Sequence, residues 1–247
     1  MIARVAVSSK GLVKHYGRRR ALDGFMLDVP EGCVMGLVGP NGAGKTTWMM
    51  AVAGLVRTDA GTVGLFGTSQ PFTVSKHSGR LAILPQDSEL PLESTPEGFL
   101  RGLARLQGLK MDAAKASVWK VLEAVNLVDR AKASIRSLSH GMRKRLMAAQ
   151  CFLGEPDLIL LDEPMNGLDP EEAVRFRNLI LSRRAGCTVV VSSHNLADLE
   201  KLCTHVAFVR DGKVEKTAAL KDLMADGASL EDVYLDDVRS KNGEAVS

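Results

Sequence analysis

The strongest chemistry in this sequence lies in eight consecutive residues, Gly39-Pro40-Asn41-Gly42-Ala43-Gly44-Lys45-Thr46. They fit G-x-x-x-x-G-K-[ST], a phosphate-binding loop. Its glycines let the backbone curl so that successive N–H groups point inward at phosphate oxygens. A helix that follows directly presents its positive N-terminal end to the same anion. Lys45 is expected to reach the β- and γ-phosphates, and the Thr46 hydroxyl to coordinate Mg²⁺. Thr47 is taken with the loop as a further nucleotide contact. A glycine-rich turn that binds nothing is the plain alternative, but both glycines, the lysine and the threonine stand in register.

Two further places could share this chemistry. The apolar run Leu158-Ile159-Leu160-Leu161 ends in Asp162-Glu163. A strand buried on both faces reads this way, and the carboxyl edge of such a sheet is where open α/β folds bind ligands. Asp162 suits Mg²⁺, directly or through water, and Glu163 suits the polarisation of a water for attack on the γ-phosphate. His194 closes the next apolar run, Cys187-Thr188-Val189-Val190-Val191, and could reach the same edge to hold Glu163 and the water. Upstream, Tyr16 lies in the polar stretch Lys14-His15-Tyr16-Gly17 and offers a flat face for a base.

These residues need elements to position them. Cys33–Val38 reads as a buried strand, and residues 46–55 as the helix after the loop. Residues 4–9 and 25–29 read as strands of a small antiparallel sheet, with 14–17 a turn between them. Asp59–Gly64 is a turn into a strand, and Leu81–Leu84 is another strand, ending in Pro85-Gln86. Thr95-Pro96-Glu97 is a helix start, with an N-cap, a proline in the first turn and an acid beside it. Helical spacing continues through Leu100, Leu103, Ala104 and Leu106. Two more helices are expected, from Asp112 to Val125 and from Gly141 to Leu153. The core then resumes with strand 158–161, helix 170–184, strand 187–191, helix 195–203, strand 205–209, the turn Asp211-Gly212, and a last strand and helix. Leu230–Leu235 reads as one helical turn or two, and residues 240–247 as a frayed end. The divisions expected are 1–90 with 156–229 as an α/β core carrying the antiparallel β subdomain, 91–155 as an inserted helical subdomain, and 230–247 as a C-terminal extension.

Composition narrows the function classes. The 247 residues are 45% hydrophobic and 25% charged, enough for one large domain or a core with a side lobe. A net charge of +3 makes no electrostatic case for nucleic acid. The run Arg18-Arg19-Arg20 reads as a solvated turn rather than a binding patch. Four cysteines without a C-x-x-C pair argue against a zinc site or a disulfide framework, and for a reducing cytosol. The N-terminus, with its alternating Val5-Ala6-Val7-Ser8, lacks a signal-peptide apolar core. No apolar run approaches the length of a membrane span.

Taken in order, the motifs resemble the ATP-binding cassette ATPases of ABC transporters over nearly the whole chain. The resemblance rests on Tyr16, Gly39–Thr46, Gln86, Leu138-Ser139-His140-Gly141-Met142, Leu158–Glu163, Gly167-Leu168-Asp169 and His194. It implies a P-loop NTPase α/β fold: a mostly parallel sheet, a small antiparallel β subdomain and an inserted helical subdomain. It implies ATP and Mg²⁺ as ligands, with Gln86 touching metal and water and linking the site to the helical lobe. It also implies that Ser139, His140, Gly141 and Met142 act in trans, on ATP held by a second cassette. That element departs from the family's usual Leu-Ser-Gly-Gly-Gln: His140 replaces a glycine, and Met142 a glutamine that could give an amide to the ribose. The Gly-Met form and the tail Leu230–Leu235 are similar to bacterial exporters for drugs, haem or polysaccharides. The resemblance therefore implies an ATPase subunit on the inner face of the cell membrane, dimeric with a second copy and docked on a separate permease. The rival is a soluble cassette ATPase, such as one serving iron–sulfur assembly.

Overall fold

The computed structural model describes residues 4–69, 79–182, 186–225 and 227–242. Two sheets organise it. The larger has six strands in the order β10-β9-β3-β8-β7-β6. Its centre is β3 (Val34–Val38), β7 (Leu158–Asp162) and β8 (Thr188–Ser192), in which every residue is buried. β6 (Leu81–Leu84) and β9 (His205–Arg210) extend it in parallel, and β10 (Lys213–Ala219) closes it antiparallel to β9.

Side-chain alternation divides these apolar strands between two cores. Met35, Leu37, Leu158, Leu160 and Val190 face a cluster that includes Trp48 and Met49 of α1 (Lys45–Val52). Val34, Val38, Ile159, Leu161, Val189 and Val191 face the opposite cluster, which runs on without a break into the helical lobe. Uninterrupted apolar sequence is what double coverage requires.

The smaller sheet has the order β2-β1-β4-β5: β1 (Val5–Tyr16), β2 (Arg19–Pro30), β4 (Ala60–Leu65) and β5 (Thr68–Ser69). Here the structure differs from the expectation of two short strands separated by a turn at 14–17. The strands run on to Tyr16 and from Arg19, and only Gly17-Arg18 turns, with Gly17 at φ 59. A glycine at the first central position is what a two-residue hairpin of this type demands. Backbone pairing outweighed the polarity of Lys14 and His15. The sheet is fastened to α1 by Trp48, whose Nε1 donates to Ser9 Oγ at 2.8 Å and whose ring stacks on Phe25 at 5.8 Å.

The helical lobe holds α2 (Pro96–Leu106), α3 (Met111–Ala124) and α4 (His140–Gln150), with 3₁₀ turns at Val128–Arg130 and Ile135–Ser137. α2 begins as its sequence foretells: Thr95 Oγ1 accepts the Gly98 N–H at 3.1 Å, and Pro96 takes the first helical position. α5 (Pro170–Ser182), α6 (Leu196–Leu202), α7 (Leu220–Leu223) and α8 (Leu230–Asn242) complete the chain. α8 is longer than the turn or two expected. Ser229 and Asp232 exchange hydrogen bonds as a capping pair, Leu230 is fully buried, and Tyr234 stacks on Phe208 at 5.9 Å. Burial of one face carries the helix past its polar sequence. The expected frayed end is helical to Asn242, and residues 243–247 lie outside the described residues. Among the described residues, no helix is long and apolar enough to cross a membrane.

Candidate nucleotide site

β3 delivers the chain into the loop and α1 takes it away, so residues 39–44 wrap the end of a buried strand. Close packing explains the glycines. A Cβ on Gly39 would lie 2.0 Å from the Val209 carbonyl oxygen, and one on Gly44 would lie 2.6 Å from that of Ala21, with Gly44 at φ 110. The back of the loop is braced by the β9–β10 turn, where the Gly212 N–H donates to the Ala43 carbonyl at 2.9 Å. Gly39 and Ala43 are buried in this bracing, while Pro40 stands exposed on the rim.

Lys45 is buried, and its Nζ donates to the carbonyls of Gly39 at 2.6 Å and Pro40 at 3.1 Å. Burial lowers its pKa, and the nearby Glu163 and Asp162 charges oppose that shift. The ammonium is therefore held over the loop by carbonyl dipoles, with carboxylates close by and without a direct ion pair among the described residues. A phosphate chain is the partner such a lysine lacks.

One run of hydrogen bonds links the three strand ends. Thr46 Oγ1 donates to Asp162 Oδ2 at 2.6 Å, and Ser192 Oγ donates to Asp162 Oδ1 at 2.5 Å. Ser192 Oγ also accepts the Glu163 N–H at 2.9 Å. Glu163 takes a left-handed backbone (φ 48), which turns its carboxylate off the strand line. Its Oε2 meets the His194 ring Nδ1 at 2.9 Å and accepts the His194 N–H at 3.3 Å. The Glu163 side chain is 8% exposed and that of His194 62%, so the ring covers the carboxylate while its far edge remains in solvent. The Thr46 hydroxyl, the Asp162 carboxylate and the exposed amide of Gln86 present oxygen donors only, the set that suits Mg²⁺.

Together these groups border a cleft of about 380 Å³. Its lining comes from three places: Asn41, Gly42, Gly44, Lys45, Thr46 and Thr47 of the loop and α1, Gln86, Asp162 and Glu163 after β6 and at the end of β7, and Tyr16, Arg19 and Ala21 of the hairpin. Tyr16 is half exposed, and Lys14 Nζ sits 5.4 Å from its ring centroid.

The structure thus gathers Tyr16, the loop, Gln86, Asp162, Glu163 and, through Glu163, His194. It does not gather Ser139, His140, Gly141 or Met142, which do not border this cleft. Ser139 caps α4 by accepting the Met142 N–H at 3.2 Å, while its own residue and His140 stay exposed. Met142 packs its side chain against the main core. α4 is tied to the segment after Glu163: Lys144 donates to the Asn166 carbonyl, and Arg145 Nε lies 3.0 Å from Glu172 of α5. Ser192, buried behind the cleft, and Arg19, at its border, were not singled out from the sequence. Ser192 carried no signal beyond ending a strand. Arg19 belonged to a run read as a solvated turn, yet it borders the cleft and donates to the Gly42 carbonyl at 2.9 Å.

This fold and this edge define a nucleotide-binding cassette, and comparison with known proteins identifies the same class. Residues 22–166 match the family model described as ABC transporter. The chain is 33% identical over 238 residues to the Nod factor export ATP-binding protein I of Ralstonia nicotianae, covering 94% of this chain and 73% of that one. It is 33% identical over 241 residues to the daunorubicin/doxorubicin resistance ATP-binding protein DrrA of Streptomyces peucetius, covering 96% and 72%. A solved ATP-binding subunit of an ABC transporter superposes with a TM-score of 0.84 at 28% identity, over 94% of this chain and 98% of that one. The chain belongs to the ABC transporter family, as its ATP-binding, ATPase component.

Proposed function

We propose that this chain powers export through a separate membrane permease, by closing with a second copy around ATP and reopening after hydrolysis. The observation that carries the hydrolytic part is the hydrogen-bonded run Thr46–Asp162–Ser192–Glu163–His194. Export as the direction is supported by the names of two relatives, one of Nod factor export and one of drug resistance. The rival of a soluble iron–sulfur assembly ATPase has no such support.

The residues divide the work. Tyr16 stacks the base, and the loop N–H groups with Lys45 hold the phosphates. Thr46, Asp162 and Gln86 would hold Mg²⁺, which when bound neutralises phosphate charge. Glu163 accepts a hydrogen bond from the attacking water and draws its proton away as the γ-phosphate is lost. His194 keeps the Glu163 carboxylate in place and turns its exposed edge toward the γ-phosphate. Ser139, His140, Gly141 and Met142 do not line the cleft of their own chain, which supports their use on ATP held by a second copy. Gln86 lies on the loop between β6 and the helical lobe, where movement of the lobe against the core would reach the site and the docked permease.

The test is Glu163→Gln. It retains size and hydrogen bonding but loses the charge that polarises water. Mg-ATP should still bind, turnover should fall by about 10²- to 10⁴-fold, and an ATP-dependent dimer should persist in light scattering after size-exclusion chromatography. Near-normal hydrolysis would remove Glu163 from catalysis. Lost turnover without an ATP-stabilised dimer, even with the permease present, would keep the catalyst and sink the two-copy closure.

A further inference from the structure

We infer that Arg19 is a nucleotide-binding residue of this cleft, a second cation that takes the α-phosphate; the inference rests on the nucleotide reading of the site. Three observations carry it. First, Arg19 is the register partner of Tyr16 across the β1–β2 hairpin. Directly opposed residues of an antiparallel pair project to one face, so the guanidinium and the aromatic ring address the same cleft, which both border. Second, the guanidinium is placed by the loop itself. It donates to the Gly42 carbonyl at 2.9 Å, and a Cβ on Gly42 would lie only 2.4 Å from the same nitrogen. Gly42, at φ 82, thus serves a left-handed turn and also leaves the seat that Arg19 occupies.

Third, Lys14 and Arg20 are engaged with other groups, whereas the Arg19 guanidinium meets only the loop among the described residues. Lys14 donates to the Arg57 carbonyl at 2.7 Å and lies 3.6 Å from Asp59; Arg20 pairs with Asp23 at 2.8 Å. Arg19 pairs with no carboxylate among the described residues, and one hydrogen bond leaves most of its five donors unused. A planar cation with spare donors, at the rim of a cleft built for a polyanion, is suited to bind a phosphate oxygen.

Position along the cleft selects the phosphate. Tyr16 marks the base end, half exposed, and the buried Lys45 marks the deep end. Arg19 is level with Tyr16 in the hairpin and bonded to the loop at Gly42, before Lys45. It therefore meets the nucleotide where the sugar gives way to the first phosphate, a group that ATP and ADP share.

Arg19→Gln removes the charge and shortens the side chain, whereas Arg19→Lys keeps a cation that can reach the cleft. Titration calorimetry with ATP and with ADP, on the full chain, should show affinity falling about 5- to 20-fold for both nucleotides, the size of one exposed charge-assisted contact. KM for ATP should rise by the same factor while kcat stays within about twofold, the pattern of binding shared by ground and transition states. Arg19→Lys should recover part of the loss. Equal affinities in Arg19→Gln and the parent would overturn the inference, because the cation would then contribute nothing to nucleotide binding. So would a loss for ATP without one for ADP, a fall in kcat without a rise in KM, or no recovery with lysine. A parent protein that binds neither nucleotide would instead remove the nucleotide reading itself.

Discussion

The nucleotide edge and the signature edge of this molecule, the latter carrying Ser139-His140-Gly141-Met142, are built to opposite plans. At the first, the acids of the strand ends and the loop lysine have partners inside the chain: both Asp162 oxygens accept hydroxyls, Glu163 is held by His194, and Lys45 is folded over two loop carbonyls. At the second, the recorded bond of Ser139 only caps its own helix, and His140 stands in solvent. The first edge is preorganised around a cleft. The second does not border that cleft, and it is linked to the first through Lys144 and Asn166 and through Arg145 and Glu172.

That contrast can be broken at either edge. The largest effect beyond Glu163→Gln is expected from Lys45→Ala. Removing the buried ammonium should weaken Mg-ATP binding by about 100-fold, since a hydrogen bond to a charged group contributes up to about 3 kcal/mol. Unchanged affinity in calorimetry, with a normal melting curve, would show that the loop does not hold phosphate.

The signature edge should respond differently. Ser139→Arg should leave ATP binding to the single chain within about twofold. It should weaken the ATP-dependent dimer at least about tenfold, as a bulky cation does at an interface centre. His140→Gly should keep its turnover, whereas His140→Asp should lose about tenfold or more, because a carboxylate would face the γ-phosphate of the facing copy. If both His140 variants hydrolyse ATP like the parent, this residue does not approach nucleotide, and the two edges do not meet.

The smallest effect sharpens the base end of the cleft. Tyr16→Ala should weaken ATP binding about fivefold, since aromatic stacking adds only about 1 kcal/mol. Tyr16→Phe should be nearly silent. Equal damage from both variants would transfer the role from the ring to the hydroxyl.

Much of the fold was legible because its signals are local. The glycine-rich loop, the Thr95-Pro96 helix start and the fully apolar strands each follow from a few adjacent residues. Legibility failed where a distant contact overruled local polarity. Lys14 and His15 are polar, yet pairing with β2 makes them strand, and the tail beyond Leu235 is polar, yet it continues a helix anchored by Leu230, Val233 and Tyr234. Arg19 shows the same limit within the site. Three adjacent arginines look alike in sequence, and register alone sends one to a carboxylate and another to the cleft.

What the sequence determined by itself is the chemistry available: a loop that can curl around phosphate, two acids at the end of an apolar strand, and a histidine after the next one. Periodicity identifies strands but does not name their neighbours. Only the tertiary structure set β3 between β8 and β9 and placed β7 beside β8. That order brings Thr46 to Asp162 across 116 residues of chain and Ser192 to Asp162 across 30. It also holds Ser139 away from the cleft, because α4 is fixed to α5 and to the helical core rather than to the loop.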